Sequence, residues 1–255
     1  MAQFKNHLSQ TAKKQPLYLY GRHPVTAAIC NSKRVISALY GTKETAEELK
    51  KACLQAHRDE KLIHLVSRQD IDKMLPKDAV HQGFAAEVTE LPSLSLEDIC
   101  DMANANESCH LLILDQVTDP QNIGAIIRSC VAFNTLALVV QDKNSPSESG
   151  AMAKASAGMI EHLPVVRVTN LSRAAEQLKK SGFWVIGMDG YAQTTIDRLD
   201  IKGKIAIIMG SEGKGMRRLV EEMCDTTVRL PISEKVESLN VATAAAITLY
   251  ELNKR

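Results

Sequence analysis

Residues 205–216 read Ile205-Ala-Ile-Ile-Met209-Gly210-Ser211-Glu212-Gly213-Lys214-Gly215-Met216. Five apolar residues run directly into three glycines. The apolar run has the length and continuity of a strand buried on both faces, as the strands of parallel sheets are. Glycines at the end of such a strand bring backbone close to something or turn it tightly. The order G-x-x-G-x-G fits neither the G-x-x-x-x-G-K-S/T of a phosphate-binding P-loop nor the G-x-G-x-x-G of a dinucleotide fold, and the strand comes late in the chain. Glu212 is therefore either a turn residue or a carboxylate placed for a purpose.

Outward from this stretch, further apolar runs alternate with helical patterns. Leu111–Leu114, Leu136–Val140, Val165–Val168, Phe183–Met188 and Thr226–Leu230 are strand candidates. Helices are expected near 122–133, 148–160, 171–181, 216–224 and 239–253. Gly182 stands where a helix C-terminus needs it. Alternation of this kind predicts an α/β fold with a doubly wound parallel sheet. Such sheets bind ligands beyond the carboxyl ends of their strands, which directs attention to the loops after Asp115, Met209 and Leu230.

The loop after Asp115 is polar, breaks at Pro120 and enters a helix carrying Asn122, Gly124 and Arg128. Asn122 is a natural N-cap. Arg128 stands among Ile126, Ile127, Cys130 and Val131, and a guanidinium in that company calls for a partner or a polar cavity. The loop after Leu230 runs Leu230-Pro-Ile-Ser and then Ser238-Leu239-Asn240-Val-Ala. Ser238 or Asn240 can cap the last helix, whose small-residue run from Ala242 to Ala246 suits a tight crossing or a subunit interface.

The chain has 255 residues, 45% hydrophobic and 24% charged, the balance of an ordinary globular protein. Four segments are expected: a basic tail over 1–16, a small αβ unit over 17–90, a linker over 91–107 and the larger α/β domain over 108–255. The net charge of +1 hides an asymmetry: residues 1–43 carry seven Lys or Arg and no acid. A basic start of this kind can grip phosphates. No apolar stretch approaches the ~20 residues of a membrane span. The six cysteines form no C-x-x-C pair, and no zinc spacing is present, so reduced thiols in a cytoplasmic protein without a metal are expected.

Together, in this order and on these strand ends, the three loops closely resemble the motifs of the SpoU (TrmH) family of RNA 2′-O-ribose methyltransferases. These are N-x-G-x-x-x-R at Asn122, Gly124 and Arg128, G-S-E-G-x-G-M at 210–216, and L-P-I…S-L-N-V-A from Leu230. The first unit, with Tyr20-Gly21-Arg22-His23-Pro24-Val25 and Gln82-Gly83-Phe84-Ala85-Ala86, resembles the family's L30e-like RNA-binding domain. The resemblance implies a SPOUT-type trefoil-knotted parallel sheet and a homodimer through the last helix. It implies S-adenosylmethionine as cofactor, held at Gly210, Leu230 and Leu239. The implied reaction is methyl transfer to the ribose 2′-hydroxyl of a guanosine in 23S ribosomal RNA. Arg128 would serve the reacting oxygen, with Asn122, Glu212, Ser238 and Asn240 positioning ribose, phosphate and Arg128. Arg22, Lys33 and Arg34 become candidate RNA contacts. A transfer RNA substrate, or an RNA-binding protein without chemistry, are the alternatives.

Overall fold

Strand sequences that are apolar at every position need cover on both faces, and the computed structural model, which describes residues 16–254, shows how they obtain it. Seven strands form one sheet: β5 (Cys109–Leu114), β6 (Ala137–Gln141), β7 (Val165–Val168), β8 (Trp184–Met188), β9 (Thr194–Thr195), β10 (Lys204–Met209) and β11 (Thr226–Arg229), in the order β7-β6-β5-β10-β8-β11-β9. Every pairing is parallel. Successive residues alternate between two cores, as the pleat requires. Leu112, Leu138, Ile186 and Ile207 face one side, with the buried stripes of α5 (Pro120–Ala132), α6 (Gly150–Ala155) and α9 (Val241–Asn253). Leu111, Val139, Val185 and Ile208 face the other, under α4 (Leu96–Asn104), α7 (Leu171–Lys180) and α8 (Arg218–Glu221).

The preceding unit is a four-stranded sheet of β1 (Leu17–Tyr20), β2 (Ile36–Gly41), β3 (Ile63–Leu65) and β4 (Phe84–Val88), ordered β1-β4-β2-β3. Only the β2–β3 pairing is parallel. One face carries α1 (Arg22–Cys30) and α2 (Ala46–Gln55), and α3 (Arg68–Met74) closes part of the other with Ile71. Pro24 falls in the first turn of α1, where a missing N–H leaves no bond unmade.

Several expectations change. The basic tail over 1–16 falls, except for Pro16, outside the described residues. Within the 91–107 linker the short helix expected over 97–105 is present as α4, which opens on a capping box, Asp98 N–H donating to Ser95 Oγ at 3.1 Å and Ser95 N–H to Asp98 Oδ2 at 2.8 Å, and which docks rather than merely connecting. Its Leu96, Ile99 and Ala103 are buried in the core of the second domain. The helix expected over 148–160 stops at Ala155, because Ala157 (φ 52°) and Gly158 (φ 82°) turn left-handed and the chain re-forms only a 3-10 turn over Met159–Glu161. The two-residue edge strand β9 was not anticipated. Among the described residues no helix is long and apolar enough to cross a membrane. All six cysteines are free thiols.

Candidate active site

β5 delivers Asp115 to the carboxyl edge of the sheet, where its N–H donates to the Met209 carbonyl at 2.8 Å. The loop that follows ends at Asp119, whose side chain accepts from Gln121 N–H at 3.0 Å, with Pro120 in the first turn. Asp119, not Asn122, is thus the N-cap of α5. Asn122 lies inside the first turn, which frees its amide for another task.

That task is visible across the three loops. Glu212 Oε1 accepts from Asn240 Nδ2 at 2.7 Å, from Val241 N–H at 3.1 Å and from Asn122 Nδ2 at 3.5 Å. Asn240 Nδ2 also donates to Asn122 Oδ1 at 3.0 Å. The other end of Asn240 caps α9, its Oδ1 accepting from Ala242 and Thr243 N–H at 3.0 and 3.3 Å. One carboxylate therefore ties residues 118 positions apart in sequence. It does so at the start of a 13-residue helix, where the dipole favours negative charge.

The glycine loop carrying Glu212 is folded on itself. Gly215 N–H donates to Ser211 O at 3.0 Å, with Gly213 and Gly215 both at positive φ. Gly210 packs directly beneath this turn. Upstream on β8, Gly187 makes room for Met216, whose Cε would meet a Cβ at 2.5 Å.

A second network lay outside the sequence-level expectations. The wholly buried carboxylate of Asp115 accepts from Arg217 twice at 2.8 Å, from its backbone N–H and from Nε. Arg217 NH2 continues to Gln141 at the end of β6 at 2.9 Å. The exit of the glycine loop is thereby fastened to two neighbouring strand ends, and α8 starts only at Arg218 rather than at 216. The legible signal was an acid closing a buried strand and an arginine directly after G-x-G-M.

The remaining site residues fall as follows. Arg128 is exposed and, among the described residues, makes no hydrogen bond or ion pair. The expectation of an enclosed guanidinium fails because Ile123, Ile126, Ile127 and Cys130 form the buried stripe of α5 and residue 128 lies off it. Ser238 is exposed and does not cap α9. Leu230 and Leu239 are half-buried. Between them, the only backbone hydrogen bonds among the described residues are Ile232 N–H to Leu230 O and Val236 N–H to Ser233 O, both at 3.0 Å. Backbone donors and acceptors flanked by two leucines, beside a glycine turn, suit a flat heteroaromatic ring that is read by main-chain groups. This set fits S-adenosylmethionine. Among the described residues no three His, Cys, Asp or Glu side chains gather as metal ligands would.

The expected RNA contacts separate. Lys33 is exposed. Arg22 is exposed too, but its Nε is paired with Glu48 at 2.5 Å. Arg34 is no RNA contact: it is 1% exposed and bound to Glu161 (2.7 Å), Glu148 (2.5 Å) and the Thr89 carbonyl (2.7 Å).

Comparison with known proteins agrees with this geometry. Residues 110–250 match the model of the SpoU rRNA Methylase family, and residues 18–94 match that for RNA 2′-O ribose methyltransferase substrate binding. A 23S rRNA (guanosine-2′-O-)-methyltransferase of Shewanella oneidensis is 36% identical over 240 residues, covering 94% of this chain and 97% of that protein. Its counterpart in Pasteurella multocida is 35% identical over 236 residues, with 92% and 96% covered. Among solved structures, the SpoU methyltransferase AviRb of Streptomyces viridochromogenes, in complex with AdoMet, superposes with a TM-score of 0.78 at 24% identity, covering 94% of this chain and 89% of that one.

Proposed function

The chain belongs to the SpoU rRNA Methylase family, and we propose that it transfers a methyl group from S-adenosylmethionine to the ribose 2′-hydroxyl of a guanosine in 23S ribosomal RNA, in the cytoplasm. The observation that carries the reading is the Asn122–Glu212–Asn240 network, which joins the three motif loops at the carboxyl edge of the sheet.

When bound, S-adenosylmethionine supplies a methyl carbon on a positively charged sulfur. With it bound, the ribose oxygen would take the methyl group, the thioether S-adenosylhomocysteine would leave, and the hydroxyl proton would pass to solvent or a nearby acceptor. The chain's residues have to seat the ribose and stabilise the negative charge that grows on its oxygen. An arginine is normally protonated in a protein, so stabilising charge is a role easier to defend for it than taking a proton. Arg128, exposed and uncommitted, is suited to stabilising the developing charge. Glu212 holds the loops, Asn122 and Asn240 fix its position, and Ser238 stands exposed where it can meet the ribose or the adjacent phosphate. Gly210, Leu230 and Leu239 contribute the cofactor cradle.

A homodimer through the C-terminal domain belongs to the same proposal. α9 is apolar almost all round, and its Ile247 (39% exposed) and Tyr250 (50%) point outward. The Tyr250 ring meets Phe133 edge-on at 6.0 Å, which extends the apolar surface onto the end of α5.

The test is incubation of the purified protein with S-adenosylmethionine and unmodified 23S and transfer RNA, followed by mass spectrometry of the nucleosides. 2′-O-methylguanosine in 23S RNA alone is expected. Methylation of transfer RNA only, or binding without methylation, would overturn the assignment. Arg128→Ala should lower kcat by about 10²-fold or more while S-adenosylmethionine affinity stays put; a wild-type kcat would remove Arg128 from the chemistry.

A further inference from the structure

The parallel pairing of β2 and β3 sets Gly41 beside Leu65, so both strands end at the same place. The loops that follow lead into α2 and α3, and between them lies an open cleft of about 730 Å³. Its volume falls within the range of small-ligand sites, roughly 300–1,000 Å³. This cleft is in the first domain, apart from the three motif loops.

Two cations line it, Lys43 and Arg68. Both are exposed, and among the described residues neither makes a hydrogen bond or an ion pair of 4.0 Å or less. Nearby cations are committed: Lys50 to Glu47 at 3.0 Å, Lys73 to Asp70 at 2.9 Å, and Arg22 to Glu48. The cleft also holds two acids. Asp70 accepts from Ser67 Oγ at 2.6 Å and from Lys73 Nζ, and these bonds hold its pKa down at about 2. Its charge is thereby matched locally. Glu44 stays ionised, its pKa lowered by a hydrogen bond from Thr42. Lys43 and Arg68 thus outweigh Glu44 by one positive charge.

Leu65, which also lines the cleft, is 61% exposed, an apolar surface a base or ribose can cover. The wall of the cleft is Gln82, a non-glycine residue at φ 56°. Residues in that region persist only where their surroundings hold them. Gln82 Oε1 accepts from Arg22 N–H at 3.3 Å and from Lys154 Nζ of the second domain at 2.9 Å. The cleft wall is thus pinned to the domain that carries the methyl-transfer loops.

We propose that this cleft holds a nucleotide of the RNA substrate, with Lys43 and Arg68 on its phosphodiester groups and Leu65 against its base or sugar. The inference rests on the methyltransferase reading and replaces the buried Arg34 as a phosphate contact. Strand phosphates are favoured over a free nucleotide because the cleft is open to solvent and belongs to the segment matched by the substrate-binding model.

The full-length double variant Lys43→Glu/Arg68→Glu tests it. RNA affinity is read by fluorescence anisotropy across a salt series, and methyl transfer is followed separately. RNA Kd should rise at least about tenfold. The slope of log Kd against log salt should fall by about 1.4, two contacts at about 0.7 each for single strands. S-adenosylmethionine affinity and kcat at saturating RNA should stay at wild-type values. Lys202→Glu, an exposed cation before β10, controls for net charge and should leave Kd within about twofold. Should the double variant misfold, Lys43→Ala and Arg68→Ala each carry the test, with a slope change of about 0.7. An unchanged Kd and slope, or an equal loss in Lys202→Glu, overturns the cleft. So does binding of guanosine monophosphate with RNA affinity intact in the variant. Failure of the wild-type protein to methylate any RNA would overturn the methyltransferase reading instead, and anisotropy still reads the cleft.

Discussion

At the scale of single residues, Gly210 is defined by what lies against it. A Cβ there would stand 2.0 Å from the Gly215 carbonyl carbon and 2.3 Å from Gly215 O and Met216 N. These are backbone atoms, which cannot swing aside as a side chain can. Gly210→Ala must therefore push the glycine turn outward and carry Glu212 with it. The expected result is a loss of about 1–3 kcal/mol in stability, together with weakened S-adenosylmethionine binding, seen in thermal unfolding with and without cofactor. Gly213 is the contrasting case: a Cβ meets nothing within 4 Å, and only its φ of 76° resists substitution. Gly213→Ala should cost about 1–2 kcal/mol, the penalty of a left-handed L-residue. Equal, unperturbed cofactor affinity in both variants would mean that the turn's position does not matter for binding.

At the scale of elements, the strands were legible because β5, β6 and β10 are apolar at successive positions, and helices fall between them. The motif residues followed from the ends of those strands. Arg128 was misjudged by neighbours in sequence rather than by helical position: the i, i+3, i+4, i+7 stripe of Ile123, Ile126, Ile127 and Cys130 already places residue 128 outside the core. The true start of α8 depends on Arg217 reaching Asp115, 102 residues away, which local pattern does not encode. Asn122 was displaced from the cap by Asp119 three residues earlier. The trefoil threading came only with the family resemblance, since periodicity carries no information about what passes through what. α4 shows the reverse, a helix whose start was written locally in Ser95 and Asp98 but whose docking was not. Ser95→Ala removes the Oγ that accepts from Asp98 N–H and leaves the other half of the capping box, residue 95 N–H to Asp98 Oδ2, in place. It should cost about 1 kcal/mol and lower Tm by about 2–4 °C, with RNA and cofactor affinities unchanged. A Tm equal to wild type would mean that burial of Leu96, Ile99 and Ala103 alone fixes the helix.

At the scale of the whole molecule, the two domains meet along a seam with no room to slide. A Cβ on Gly150 would lie 2.4 Å from Tyr18 O and 2.5 Å from the Tyr20 ring, and one on Gly158 would lie 2.7 Å from Ala27 Cβ. Leu19, Ile29 and Leu39 of the first domain share a continuous apolar core with Leu112, Ile127 and Met152 of the second. At the edge of this seam Arg34 binds Glu161, whose side chain is wholly buried, and Glu148. Asn31 adds a further bond to Glu161 at 2.8 Å. Removing one partner of a buried pair leaves a charge without compensation, at a cost of about 3–5 kcal/mol. Because that cost falls on the joint, it should appear as lost cooperativity as well as lost stability. Calorimetry of the wild-type protein should show one transition. Arg34→Ala should lower Tm and separate the trace into two, the smaller first domain opening while the cofactor still protects the second. A single transition at the wild-type temperature would show that the shared apolar core holds the seam without Arg34.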